Sequence, residues 1–472
     1  MKKPADPGGI QRRSMLPGTL ILLLCMLTGL QGQWACAADP YVPTEKELGK
    51  IRGKLAGLRK RLDQLWKKAA LIRIPEDRFL DAEIYAKAGE WLLRYPGEFY
   101  DKSYVQKALK VLDTGLKRAA ALEAGKAPWL QATGRLARAY RSKIDGSIQP
   151  YGLVIPKNYD GKTPLRLDLV LHGRNGRLSE VSFLAKHDSP QPPTRKHFEL
   201  HVFGRTNNAY RWAGEVDVYE ALASVERQYR IDPSQVVLRG FSMGGAACWQ
   251  FAVHYADRWF VANPGAGFSE TPEFLRFFQQ ETLTPTWYEK KLWHWYDCTD
   301  YAINLFHCPT VAYSGELDIQ KQAADIMASA LQKEGLELLH LIGPQTKHRI
   351  HPDSKKEIER RLDSLAEQGR RVNPRSVHFA TYTLKYNRMH WVVIDALNKH
   401  WERAQVDAQS GDSSVKVSTK NVKALSLSFR PGYSRFALRE PVKIRIDGQA
   451  IMGPRPGLDR SWQCSLVHTD GQ

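Results

Sequence analysis

Cysteine is scarce in this chain, at six residues in 472. Cys25, Cys36, Cys248, Cys298, Cys308 and Cys464 show no metal-ligand spacing, so no metal and no other cofactor is expected. Long apolar runs are almost absent. Only residues 16–30 form one, and no later segment is apolar enough to span a bilayer. Acids are the minority, 50 Asp and Glu against 69 Lys and Arg, for a net charge of +19. That balance favours anionic partners such as acidic polysaccharide, phosphate-rich cell wall or nucleic acid. The positive charge is spread along the chain and no aromatic–basic motif accompanies it, so nucleic acid is not an expected partner. Internal repeats and low-complexity tracts are lacking too. What is present suffices for globular cores, with 43% hydrophobic and 10% aromatic residues. The length allows about three domains.

The first 38 residues read as a secretory signal. Lys2, Lys3, Arg12 and Arg13 precede the apolar stretch, and Ala35-Cys36-Ala37 supplies a small-residue cleavage pattern. A secreted or periplasmic protein with no membrane span in its mature form is expected. A retained anchor is the alternative. Arg12-Arg13 faintly resembles a twin-arginine signal. A lipoprotein reading through Cys36 is disfavoured by Gln33 and Trp34. Export permits disulfides. Cys298 and Cys308 are near enough in sequence to close a small loop, while Cys248 reads as a buried thiol.

Residues 44–145 read as a helical N-terminal domain. Leu48, Ile51, Leu55, Leu58, Leu62 and Leu65 form a heptad-like stripe. It spans fewer than three heptads, which favours an intrachain bundle over a dimeric coiled coil and leaves the oligomeric state open. Further helices are predicted over 77–93, around Val105 to Leu116, and over 129–140. Residues 149–368 alternate strands and helices, the pattern of a parallel sheet with helices on both faces. Residues 374–472 show strand periodicity and read as a small β-sandwich-like domain.

One motif stands out. Gly240-Phe241-Ser242-Met243-Gly244 fits G-x-S-x-G, between the short strand Val236-Val237-Leu238 and a helix from Ala246. A serine on so sharp a turn is held in strained geometry with its Oγ exposed. The helix N-terminus offers free N–H groups to a developing oxyanion. Around it lie His172-Gly173-Arg174 at a strand end, Asp232-Pro233, Gly315-Glu316-Leu317-Asp318 after a late strand, and His348 and His351 beyond the last strand.

These residues make the segment resemble the α/β-hydrolase superfamily. Within it the likeness is to prolyl-oligopeptidase-like and to polyhydroxybutyrate-depolymerase or feruloyl-esterase-like secreted proteins. The resemblance covers under half of the chain. It implies an α/β fold and a serine hydrolase with Ser242 as nucleophile, Asp318 as acid and His348 as base. Glu316 and Asp325 are fallbacks for the acid and His351 for the base, and His348 lies closer to the expected position. It also implies an oxyanion site built from the backbone of Met243 and of Gly173 or Arg174. No β-propeller precedes the catalytic segment, unlike true prolyl oligopeptidases. An aromatic-rich insertion between residues 262 and 310, holding Trp287 and Trp293, reads either as a substrate-binding cap or as a subdomain with its own core. The expectation is a secreted hydrolase acting through an acyl-enzyme on carboxylic esters of a polysaccharide or related polymer. A prolyl-oligopeptidase-like peptidase and an inactive, carbohydrate-binding hydrolase fold are the alternatives.

Overall fold

The computed structural model describes residues 39–72, 74–189 and 195–469. The expected signal segment lies outside the described residues. No helix among them is long and apolar enough to cross a membrane.

Three helices open the fold: α1 (Glu45–Ile72), α2 (Glu76–Arg94) and α3 (Ser103–Glu123). The leucine stripe of α1 is buried within the chain, with Ile51 and Leu58 fully covered. The helix predicted over 129–140 is not formed. A short 3-10 turn (Pro128–Gln131) leads instead into strand β1 (Gly134–Arg141). Ala, Leu and Arg there favour a helix locally, but sheet pairing overrides that preference. The partner is β2 (Ile148–Ile155), antiparallel to β1.

The main sheet continues through β3 (Leu165–Leu171), β4 (Phe198–Val202), β5 (Ile231–Phe241), β6 (Val261–Gly265), β7 (Val311–Gly315) and β8 (Leu339–Gly343). Its order is β1-β2-β4-β3-β5-β6-β7-β8, and the strands from β4 to β8 run parallel. Asp232-Pro233 lies within β5 beside a register irregularity. The helices of this region are α4 (Glu180–His187), α5 (Ala213–Gln228), α6 (Met243–His254), the single turn α7 (Thr271–Glu273), α8 (Trp287–Trp293), α9 (Lys321–Lys333) and α10 (Pro352–Gln368).

Side chains on adjacent positions of β5 enter opposite cores. Val236 and Leu238 join the large cluster with α1 to α6, whereas Val237 joins Ile358 and Leu362 of α10. Alternation of this kind requires helices on both faces, as the strand–helix pattern predicted. Helix α6 is buried along its whole length, and its Cys248 thiol with it. Cys298 and Cys308 are both free and buried, so the loop closure considered from their spacing is not formed.

The C-terminal region packs two sheets. One orders β10 (Arg388–Met389), β11 (Val392–Leu397), β14 (Val422–Phe429) and β17 (Trp462–Val467). The other runs from β16 (Gln449–Met452) through β15 (Lys443–Ile446), β13 (Ser414–Lys420) and β12 (Ala404–Ser410) to β9 (Ser376–Thr381). It docks on the helices behind the main sheet. Tyr386 Oη donates to Glu215 of α5 at 2.8 Å, and its ring stacks on His254 of α6.

Candidate active site

Ser242 lies between β5 and α6 at φ 60° and ψ −125°. Its backbone N–H donates to Gly265 O at 2.8 Å, and its carbonyl accepts from Ala246 N at 3.0 Å. The turn is possible because glycines flank it. A Cβ on Gly240 would fall 1.9 Å from Gly244 O, and one on Gly244 would fall 2.0 Å from Leu171 O. Met243 N–H belongs to the first turn of α6, where helix donors lack intrahelical acceptors.

Asp318 follows β7, and its side chain is buried. Its Oδ2 accepts from His348 Nδ1 at 2.8 Å, and its Oδ1 accepts from Gln320 N at 2.9 Å. The loops carrying these two residues are zipped together. Glu316 N donates to Gly343 O and Leu317 N to Thr346 O, each at 2.9 Å. Tyr313 Oη accepts from His351 N at 2.8 Å and donates to Arg349 O at 2.9 Å, pinning the chain on both sides of Ile350, just past His348. The His348 ring lies 4.8 Å from the ring of Phe241, the residue before Ser242. With Nδ1–H given to Asp318, Nε2 is left as an acceptor.

The alternative residues are engaged elsewhere. His351 caps α10, its Nδ1 accepting from Asp353 N at 3.3 Å. Glu316 accepts from Gln345 N, and Asp325 pairs with Lys321 at 2.7 Å on an exposed helix face.

The loop after β3 touches the serine. A Cβ on Gly173 would lie 3.3 Å from Ser242 Cβ and 3.9 Å from its Oγ. His172 anchors this loop, with Nδ1 2.9 Å from Gly173 O and Nε2 3.0 Å from Phe203 O. Burial pushes the His172 imidazole below its ordinary pKa although both carbonyls favour its proton. Tyr210 Oη accepts from His172 N at 2.8 Å, and Asn207 Oδ1 accepts from Asn175 N at 3.0 Å. The 203–212 loop therefore holds the 172–175 loop in place.

The aromatic insertion divides. Trp287 is 73% exposed and contacts only Tyr288 and Lys291 of its own helix among the ring contacts of the described residues. No ring contact or side-chain hydrogen bond joins Trp287 or Trp293 to Ser242, Asp318 or His348. Tyr296 turns inward instead. Its Oη accepts from Trp212 N at 3.1 Å, and the Arg211 guanidinium sits 4.6 Å over its ring and 5.3 Å over that of Phe268. Phe268 follows Gly267, where a Cβ would come within 2.4 Å of Ser242 O. Trp212 is 63% exposed at a positive φ of 52° and opens α5. Tyr296 is among the insertion's aromatics that the sequence offers as a cap, but sequence reasoning passed over Arg211 and Trp212; an Arg-Trp pair just before a helix start was the available signal.

Residues 207–368 match the prolyl oligopeptidase family, a span holding Ser242, Asp318 and His348 but not the 172–175 loop. No curated protein matches the chain. Among solved structures, a Bacteroides ovatus protein assigned as a dipeptidyl aminopeptidase IV is similar at 13% identity and a TM-score of 0.39, over 52% of this chain and 37% of its own. A fluorophosphonate-binding serine hydrolase from Staphylococcus aureus is similar at 17% identity and 0.37, over 50% and 99%. A ferulic acid esterase is similar at 16% identity and 0.37, over 49% and 97%. With the sheet, the strand–serine–helix turn and the family match together, the chain is a serine hydrolase of the α/β-hydrolase fold whose catalytic segment resembles the prolyl oligopeptidase family.

Proposed function

We propose that this chain is an exported serine hydrolase that cleaves carboxylic esters of a polysaccharide or related polymer through an acyl-enzyme. The observation carrying the reading is the pairing of His348 with buried Asp318 at 2.8 Å, on loops laid against the strained turn of Ser242. Ser242 Oγ attacks the ester carbonyl and His348 Nε2 takes its proton. Asp318 orients the ring and stabilises the imidazolium. The tetrahedral oxyanion is met by the N–H of Met243 and that of Gly173 or Arg174. The C–O bond to the leaving alcohol then breaks, and His348 returns the proton to that oxygen. Water, deprotonated by His348, attacks the acyl-enzyme and frees the acid and Ser242. Support for an ester on a polymer comes from the signal-like N-terminus, the exposed indole of Trp212 two residues past the Tyr210 that holds His172, and the attached β-domain. A fluorophosphonate probe, followed by a screen of acetyl, feruloyl and short acyl esters, tests this. Labelling and ester turnover, both lost in Ser242→Ala, are the expected result. Absence of labelling would leave an inactive fold.

The family match favours one second reading, a peptidase acting at proline. Prolyl amides in the same screen decide it: faster turnover than every ester would make the chain a peptidase.

A further inference from the structure

A cleft of about 1030 Å³ begins at Gly173 and Arg174 and runs between α3 and α4. Gly173 lines the cleft and also lies against Ser242, so the cleft and the candidate active site share the 172–175 loop. Six cations line it: Lys107 and Lys110 of α3, Arg135 of β1, Arg174 and Arg177 of the loop, and Lys186 of α4. Asp101 is the one carboxylate in the lining. It reaches Arg177 at 3.6 Å, and among the described residues the other five cations have no carboxylate within ion-pair distance. Burial and the neighbouring Arg135 push Lys186 below its ordinary pKa, as expected where positive groups lie close together. Such a cleft concentrates field lines and draws in anions.

We propose that this cleft holds the acidic chain of the substrate, so that the ester cleaved at Ser242 is borne by a uronate-type, polyanionic polysaccharide. The inference rests on the reading of Ser242 as the nucleophile of a polymer esterase. Lys107 and Lys110 stand one helical turn apart, about 5–6 Å between Cβ atoms. Six cations spread over four elements of one cleft suit charge repeated along a chain better than one small anion. The cleft's aromatics point away from nucleic acid. Tyr104 is 2% exposed, with Lys107 4.0 Å over its ring, and Phe183 is 4% exposed. Neither offers a face on which bases could stack.

The test uses a matched pair of substrates, acetylated oligogalacturonate and acetylated xylo-oligosaccharide, on the full mature chain. The acidic substrate should be preferred in kcat/KM. Raising NaCl from about 20 mM to about 0.5 M should erase the preference. Lys107→Gln with Lys110→Gln should lower the acidic-to-neutral ratio about tenfold, and Lys107→Arg with Lys110→Arg should preserve it. Direct binding of de-esterified oligogalacturonate to Ser242→Ala protein should show the same order, with a single-stranded oligonucleotide of equal charge bound more weakly. Equal turnover of both esters, or an unchanged ratio in the Gln variant, would overturn the proposal, as would tighter binding of the oligonucleotide. If Ser242 is not labelled by the probe and no ester is turned over, the underlying esterase reading fails. A labelled, active enzyme blind to substrate charge removes the cleft's role alone.

Discussion

Ser242 keeps its left-handed backbone because the surrounding chain over-determines it. Such a conformation costs about 1–3 kcal/mol for a residue with a Cβ. The Gly265 and Ala246 hydrogen bonds and the two close glycine contacts hold it in place. Ser242→Ala should therefore fold with an unchanged or slightly altered melting temperature while losing at least about a thousandfold in kcat. Retention of a tenth of the wild-type rate, measured on any ester the enzyme cleaves, would assign the nucleophile elsewhere. His348→Ala should lose a comparable factor. His351→Ala removes a helix cap, so its loss should fall mainly on melting temperature, by about 1 kcal/mol of stability. The opposite order of the two activities would exchange their roles.

At the scale of elements, the active-site loops depend on one phenol. Tyr313 on β7 ties Arg349 O and His351 N, on either side of Ile350 and just past His348. Tyr313→Phe keeps the ring and removes both bonds. A fall in kcat of about tenfold with KM nearly constant is expected, since the loss is one of orientation. An equal rise in KM would instead mean that the loop shapes the pocket. The insertion has its own titrating group. Burial pushes the Asp297 carboxyl up to about 7 from an ordinary 3.8, although Thr271 donates to it twice. Between those values the native state keeps a proton that the unfolded chain has released. Stability then falls as pH rises from about 4 to about 7 and stays lower above it. Asp297→Asn carries no charge at any pH and can still accept from Thr271. Thermal melts at pH 5 and pH 8 should differ less for this variant than for wild type, and an unchanged difference would place the titration in another group.

Across the whole molecule, the helices of the N-terminal region are bolted to the sheet by a buried ion pair. Arg138 of β1 and Asp81 of α2 are both fully covered, and Arg138 Nε lies 3.0 and 2.8 Å from the two carboxylate oxygens. Arg138 also donates to Tyr229 Oη at 2.7 Å, and Trp129 Nε1 donates to Asp81 at 2.9 Å. Arg138→Met alone should destabilise by about 3–5 kcal/mol because it strands a buried carboxylate. Adding Asp81→Leu should recover part of that loss in a denaturant titration. If the double variant is worse than the single, the network rather than the charge pair holds the region. The β-domain meets the back of the same body, where Asn304 Nδ2 donates to Val253 O at 2.9 Å and to Ala380 O at 3.0 Å.

Much of this was legible in the residues, for a reason that is local. A sharp strand–serine–helix turn needs glycines where strand and helix nearly touch, and Gly240 and Gly244 declare that need within five positions. The alternation of strand and helix periods declared the parallel sheet in the same way. The 129–140 segment misled because it pairs with β2 and Arg138 meets Asp81, 57 positions away, and helix propensity records neither partner. His348 and His351 are equivalent in type and only three positions apart. Which of them faces Asp318 was decided by Tyr313 and the zipped loops. Cys298 and Cys308 are close in sequence, yet each was drawn into its own buried setting. The inward aromatic of the insertion, Tyr296, was chosen by packing against Arg211 and Trp212. The basic cleft is the extreme case. Its cations come from α3, β1, the 172–178 loop and α4, and in the sequence they are only part of a diffuse excess of charge. Backbone geometry within a few residues is dictated by those residues, whereas the meeting of distant side chains is dictated by the fold that buries the most apolar surface.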